Sequence, residues 1–413
     1  MSFIKKIPVE DVKHFVPLVA NAYPGLNMSE EKVREAFLKT QTEDLFSDFY
    51  GYYRGNQLLG CMKIYDFSMN LYGTKVLAGG LGTVAVHLLH KKEKIAKELV
   101  TFFLQYCREK GACLALLYPF RPDFYKKMGF GYGTKVNQYR VLPDCLPRGK
   151  SKENVFFVTE AEKENLLACY RRFMEKTHGM IDKTQGELDA LFENKRHWIA
   201  AFKQDGQIRG YLVLEAQSAH EENRFFNDLH VKEMIYESPE SLSELLTFLH
   251  SQLDQFQRIV FNTQDEDFYH LLTDPRNGSN RMIPSLFHES YVSGVGLMYR
   301  VINLKNLFSQ LTLRRFGNQS CTVNFKIRDS FLPENEKSCV VSFRDGFPRV
   351  MDHSEAEVEV DLDISDFSSL MMGSVSFKSL VGYGLVKLSD PACLSRLEQI
   401  FSKQEKPVCT TTF

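Results

Sequence analysis

The chain has 413 residues, of which 44% are hydrophobic and 25% charged, with a formal net charge of −1. At roughly 150 residues per domain, that length suggests about three domains. The near-neutral balance argues against a polyanion-binding surface spread over the whole molecule, so no nucleic-acid partner is expected, and it leaves room for a local basic patch.

The first 15 residues lack the apolar core of a signal peptide, and no apolar run approaches the ~18 residues that span a bilayer. A cytoplasmic chain with no membrane partner is therefore expected. A short strand over 3–7 is followed by an amphipathic helix over about 9–20. Ser29, with Glu30 and Glu31 behind it, predicts a capped helix to about residue 39. A hairpin comes next, with strands 48–53 and 58–66 about a turn at Arg54, Gly55 and Asn56. A longer strand covers 77–86. After a break at 87–90, a long helix runs from Lys91 to about 110. Its apolar Ile95, Leu99, Phe102, Phe103 and Tyr106 recur at three-to-four spacing, and Gly111 ends it. Residues 113–118 read as a short buried strand and 122–128 as a short helix. The run Gly129-Phe-Gly-Tyr-Gly133 then leads to 137–142, read as the last strand of this first unit.

Prolines and basic residues over 143–152 read as a linker. The order of elements then repeats: helices over 160–176 and 185–192, a hairpin with strands 197–202 and 208–215, a strand over 225–236, a helix over 238–255 and a strand over 258–261. This second unit reads as a degenerate copy. Its strand-to-helix turn at Glu237 and Glu240 is acidic where the first copy has lysines, so only the first is expected to bind an anionic cofactor. From about 294 the chain alternates strands (321–327, 338–344, 356–362) with helices (364–372, 391–401), an α+β pattern. The expected division is 1–147, 148–293 and 294–413. The nine cysteines are scattered, with no C-x-x-C pair, and read as reduced, mostly buried thiols.

Three places could carry chemistry. The first is the strand-to-helix turn over 87–96. A helix start presents free N–H groups and the positive end of the helix dipole, which suits a pyrophosphate. Lys91 and Lys92 add charge there, and the small Ala96 lets the backbone sit close; the alternative is a solvated basic helix start. The second is Tyr125, whose hydroxyl can protonate a departing thiolate; the alternative is a ring packed on the sheet. The third is Phe413. If its ring anchors the tail, the α-carboxylate is a fixed general base; the alternative is a frayed end. His87 and His90 are further candidate bases, and more simply a strand end and a helix-cap neighbour. No P-loop, G-x-S-x-G or H-E-x-x-H motif occurs, and no metal ligand set is expected.

The run GGLGTVAVHLLHKKEKIA (79–96), followed by YPFRPDFYKKMGFGY (118–132), resembles the core of the GNAT acetyltransferases, in particular their Eis-type (enhanced intracellular survival) branch. In that family the turn carries R-x-x-G-x-[GA], which cradles acetyl-CoA. The matching positions are Lys91, Lys94 and Ala96, flanked by Lys92 and Ile95. The strand at Val84, Ala85 and Val86 would pair with the cofactor's pantetheine arm. The F-Y-x-x-x-G-[FW] run matches at Phe124, Tyr125, Gly129 and Phe130.

The resemblance covers nearly the whole chain. It implies an α+β fold of two tandem GNAT-like mixed-sheet units, the second without cofactor, and then a sterol-carrier-protein-like domain. VEVDLDISDFSSLMMG (358–373) and LVGYGLVKLSDPACLSRLEQIF (380–401) look like that third domain. It also implies acetyl-CoA-dependent N-acetylation of a primary amine, on a small amine, an aminoglycoside-like compound or a protein lysine. The catalytic pair carried over is the Phe413 carboxylate as base and Tyr125 as acid. A homo-oligomer is implied too, since related proteins form hexamers. Three departures stand out. Lys91 keeps the motif's charge but loses arginine's bidentate phosphate geometry. Lys94 replaces the motif glycine and is expected to crowd the pyrophosphate, and Glu93 adds a negative charge beside it. Two rival readings are a catalytically weak or inactive GNAT-fold binding protein and an apolar-ligand carrier working through the third domain.

Overall fold

The computed structural model describes residues 2–26, 29–284, 286–336, 338–352, 355–402 and 405–413. In its first sheet the strands run in the order Ser2–Lys6, Ser47–Arg54, Gln57–Leu71, Thr74–Val86, Leu114–Leu117, Met298–Val301, Gly131–Tyr132. One pairing is parallel, that of Thr74–Val86 with Leu114–Leu117. Parallel neighbours need a crossover, and the helix Ile95–Glu109 supplies it. Its apolar stripe (Ile95, Leu99, Phe103, Cys107) is buried in one core with Met62, Leu81 and Leu117. The helices Val12–Ala22 and Glu30–Glu43 cover the other face, where Phe15, Phe37 and Phe49 pack with ring centroids 4.4–5.6 Å apart.

The parallel ladder is short. It joins Ala78–Leu81 to Leu114–Leu117 and stops, while the longer strand continues to Val86. Beyond Leu81 that strand has lost its neighbour on one side, so a gap opens between the two strands. A bulge bends it further. The register with Gln57–Leu71 slips between Cys61 and Lys63, opposite Ala85 and Gly82, and Thr83 inside the slip has φ 48°.

Two sequence expectations are corrected here. The segment read as the last strand of the first unit is Val136–Val141, and it pairs with Arg258–Thr263 and Tyr291–Gly294 in the second sheet. The first sheet takes Met298–Val301 in its place. Alternating apolar residues identify a strand but do not say which edge it joins. The molecule accordingly forms one compact unit of residues 1–133, 296–406 and 412–413, and another of 134–295 and 407–411. The long helix begins at Ile95 rather than Lys91, because Lys92 and Lys94 have φ of 71° and 65°, outside the helical region.

The second unit repeats the plan of the first sheet. Asp228–Val231 pairs in parallel with Arg258–Phe261, the helix Pro239–His250 crosses over, and a bulge falls between Val213 and Leu214. Its turn is closed, however. Ser238 and Ser241 form a capping box and Pro239 brings no N–H. Glu237 is held by Arg172 at 2.6 Å and Arg209 at 3.1 Å. Residues 407–411 also belong to this unit. The Val408 N–H donates to the His178 carbonyl at 2.8 Å, and the Thr410 hydroxyl donates to the buried Glu233 carboxylate at 2.9 Å. This stretch of tail is tied down, not frayed.

The five-stranded sheet has the order Phe347–Met351, Ser338–Arg344, Cys321–Arg328, Val358–Asp363, Val386–Leu388. Its outer strands and the helix Phe377–Gly382 are too short to announce themselves by periodicity. Phe308, Phe325, Phe343, Phe367 and Phe401 are buried in mutual ring contacts and form the core of this module. The helix Ile364–Met371 docks on the first sheet, where the Val301 N–H donates to Ser368 Oγ at 2.9 Å. All nine cysteines are free thiols, and all but Cys145 are buried. No described helix is long and apolar enough to cross a membrane.

Candidate active site

At the start of the Ile95–Glu109 helix, Lys94 is the N-cap residue and its side chain makes no capping hydrogen bond. The N–H groups of Ile95, Ala96 and Lys97 therefore have neither an intrahelical acceptor nor a side-chain cap. They open on a cleft of about 560 Å³ lined by Val86, Lys91, Lys92, Lys94, Ile95, Ala96, Lys97, Arg121 and Lys127, among others, with Phe120, Phe124 and Phe331 as its apolar wall. No Asp or Glu side chain is among the described residues that line it. Free N–H groups, a helix dipole and several cations are features that favour an anion.

The structure also places two of the three departures in that turn, Glu93 and Lys94. The Glu93 carboxylate is turned to Arg54 (2.8 Å) and His90 Nδ1 (3.0 Å), which hold its pKa below the ordinary value. Lys94 takes up the left-handed φ that a glycine would adopt freely, and its side chain is exposed. His87 Nδ1 accepts from the Leu89 N–H at 3.3 Å, so both histidines serve the turn itself.

A second cavity, of about 300 Å³, lies where the strands part and shares Phe120 with the cleft. Leu81, Gly82, Thr83, Val84, Tyr118, Tyr125 and Phe413 are among the residues that line it. Tyr125 sits on the short helix Pro122–Lys126 and is 3% exposed. Burial first, and the neighbouring Tyr23 second, push its pKa well above the ordinary 10.0. Its helix is braced from behind. The Arg300 guanidinium donates to the Met128 carbonyl at 2.6 Å and pairs with Asp329 at 2.6 Å, both charges fully buried. Gly129, at φ 82°, leaves room for that arginine: a Cβ there would lie 1.4 Å from Arg300 Nη1. Lys126 pairs with Asp366 at 2.5 Å.

The Phe413 ring packs edge-on against Phe67 (4.8 Å) and Tyr65 (5.5 Å) and at a tilt to Tyr118 (5.3 Å). Its main-chain carbonyl carbon stands beside Gly82. Of the residues singled out from the sequence, Val84, Tyr125 and Phe413 meet at the cavity, whereas Val86, Lys91, Lys92, Lys94, Ile95 and Ala96 line the cleft. The Ala85 side chain points elsewhere, into the core under the two covering helices. Sequence reasoning missed Tyr23, whose hydroxyl donates to the Val84 carbonyl at 2.8 Å and whose pKa burial pushes up to about 12. It also missed Lys97, Lys127 and Arg300; nothing local in the sequence marks any of these.

The family description "Acetyltransferase (GNAT) domain" matches residues 4–133 and, in a second form, 179–301, and "Sterol carrier protein domain" matches 307–410. A relative from Streptomyces avermitilis, described as an uncharacterized N-acetyltransferase, is 23% identical over 374 residues, covering 86% of this chain and 87% of its own. Among solved structures, a GCN5-related N-acetyltransferase from Anabaena variabilis superposes with a TM-score of 0.83 at 17% identity. Eis1 from Mycobacterium abscessus superposes with 0.78 at 18% identity. Both comparisons cover 100% of each chain, and they establish the shared fold.

Proposed function

We propose a reaction for this chain from one premise: it is an N-acetyltransferase of the GNAT superfamily, in the Eis-type arrangement of two GNAT domains followed by a sterol-carrier-protein domain. GNAT acetyltransferases generally use acetyl-CoA, and the cleft at the Ile95 helix start, with lysines and arginine and no acid in its lining, suits that cofactor's phosphates. Acetyl-CoA laid along it would bring its thioester past Phe120, which lines both the cleft and the cavity. There the unpaired edge of the strand over 82–86 would offer a backbone N–H to the thioester oxygen.

In the reaction, a primary amine attacks the acetyl carbonyl carbon. The C–N bond forms, the carbonyl π electrons move to oxygen, and the C–S bond breaks as the carbonyl re-forms. The α-carboxylate of Phe413 takes the proton the amine must lose, directly or through one water. Tyr125 gives its proton to the departing thiolate. The burial that keeps this phenol protonated also favours the neutral thiol over the thiolate, so the transfer stays matched. Holding amine and thioester side by side supplies much of the rate.

The carrying observation is that Tyr125 and Phe413, far apart in the chain, wall one cavity beside the parted strands. The test is removal of Phe413 alone. Acetyl-CoA binding, followed by calorimetry, should persist while thiol release in the presence of amines collapses. Unchanged turnover would remove the carboxylate from the scheme.

A further inference from the structure

We infer that the acceptor is a compact monoamine on an apolar or aromatic body, an arylalkylamine in chemical class; this deepens the proposed transfer reaction and rests on it. Part of the 300 Å³ cavity's lining comes from the two covering helices, the residue that caps the first of them and the strand beneath: Phe15, Val19, Tyr23, Val33, Ala36 and Phe49. None of these carries a charge. Among the described residues lining the cavity there is no Asp or Glu side chain, so the acid available to an ammonium group is the Phe413 carboxylate. One counter-charge suits one ammonium.

A polycation would find no second carboxylate in this lining, and any further ammonium group seated in the cavity would lie against hydrocarbon, where an unpaired charge costs several kcal/mol, each ~1.4 kcal/mol being a factor of ten. Size acts in the same direction. A volume of about 300 Å³ is at the lower limit of small-molecule sites and must also hold the acetyl group.

The experiment uses the full chain and three acceptors: 2-phenylethylamine, a tetracationic aminoglycoside and a lysyl peptide. Without cofactor, calorimetry should show saturable binding of 2-phenylethylamine and none of the aminoglycoside. With acetyl-CoA, kcat/KM for 2-phenylethylamine should exceed that of the other two by at least about 100-fold. Ala36→Asp, on an exposed helix position, adds a second carboxylate at the wall. It should shift the preference toward 1,5-diaminopentane by about tenfold. An aminoglycoside or peptide acetylated as fast as the arylalkylamine overturns the inference and leaves the transfer reaction standing. Phenylethylamine bound but never acetylated strikes the reaction and leaves the chamber's preference standing. Absence of any phenylethylamine binding sinks the inference outright.

Discussion

The main-chain carbonyl carbon of Phe413 lies 3.4 Å from the point where a Cβ on Gly82 would stand. Tyr65, part of the same ring cluster, would be 3.1 Å from that Cβ. A Cβ there would meet Phe413 at ordinary contact distance and crowd the Tyr65 ring that packs against it. Gly82→Ala should shift Tyr65 by a few tenths of an ångström, disturb the seat of the Phe413 ring and lower kcat by up to about tenfold, with acetyl-CoA affinity little changed. Steady-state kinetics beside calorimetry separates the two; a loss of affinity with kcat intact would contradict the placement.

Tyr125→Phe removes a proton donor and no packing. It should lower kcat by about 100-fold and leave acetyl-CoA binding unchanged. Because burial holds the phenol protonated, the wild-type kcat should show no downward limb from this group between pH 7 and its ordinary 10.0. A falling limb in that range, absent in the phenylalanine variant, would assign Tyr125 a lower pKa than its surroundings imply.

Buried tyrosines also predict how stability responds to alkali. Tyr23 and Tyr72 are each raised by burial to about 12. A pKa raised in the folded state means that folding favours the protonated form. The stabilisation is therefore whole below pH 10 and is lost as pH rises from 10 through 12. Each such tyrosine should contribute a slope of about 1 kcal/mol per pH unit in that window. Urea midpoints measured from pH 8 to 11.5 should stay level and then fall, and the fall should be shallower in Tyr23→Phe.

Lys94 sits at φ 65°, a conformation that costs a side-chain-bearing residue about 1 kcal/mol. Lys94→Gly should raise the unfolding free energy by up to about that amount, while Lys94→Ala should not. If the lysine also contributes to phosphate binding, both variants should weaken acetyl-CoA equally, and more at low salt than at high salt. Equal stability of the two variants would show that the left-handed turn carries no strain.

Arg300 and Asp329 form an ion pair with no exposure on either side. Arg300→Met strands a buried carboxylate and frees the Met128 carbonyl, and should destabilise the protein by about 3–5 kcal/mol. Adding Asp329→Asn to it should recover part of that loss, because the second change removes the unpaired charge. Denaturant titrations of the two single variants and the double variant measure the coupling. Simple additivity would mean that the pair does not act as a unit.

Much of the first 133 residues was legible from residue order. The lysine-rich turn before a stripe of Ile95, Leu99 and Phe103 announces a strand-turn-helix, since helical periodicity and a basic helix start are properties of neighbouring residues. The same holds for Gly111, whose φ of 76° ends that helix. The repeat of elements and the acidic turn at Glu237 were likewise local, and the structure adds the capping box that closes it. What the sequence could not carry is which distant parts come together. Val136–Val141 and Met298–Val301 each join a sheet remote from their chain neighbours, because a pleat records its faces and not its partner. The contact of Phe413 with Gly82, and the room Gly129 leaves for Arg300, exist only once strands and helices have closed around them. Steric fit between residues hundreds of positions apart has no period to read.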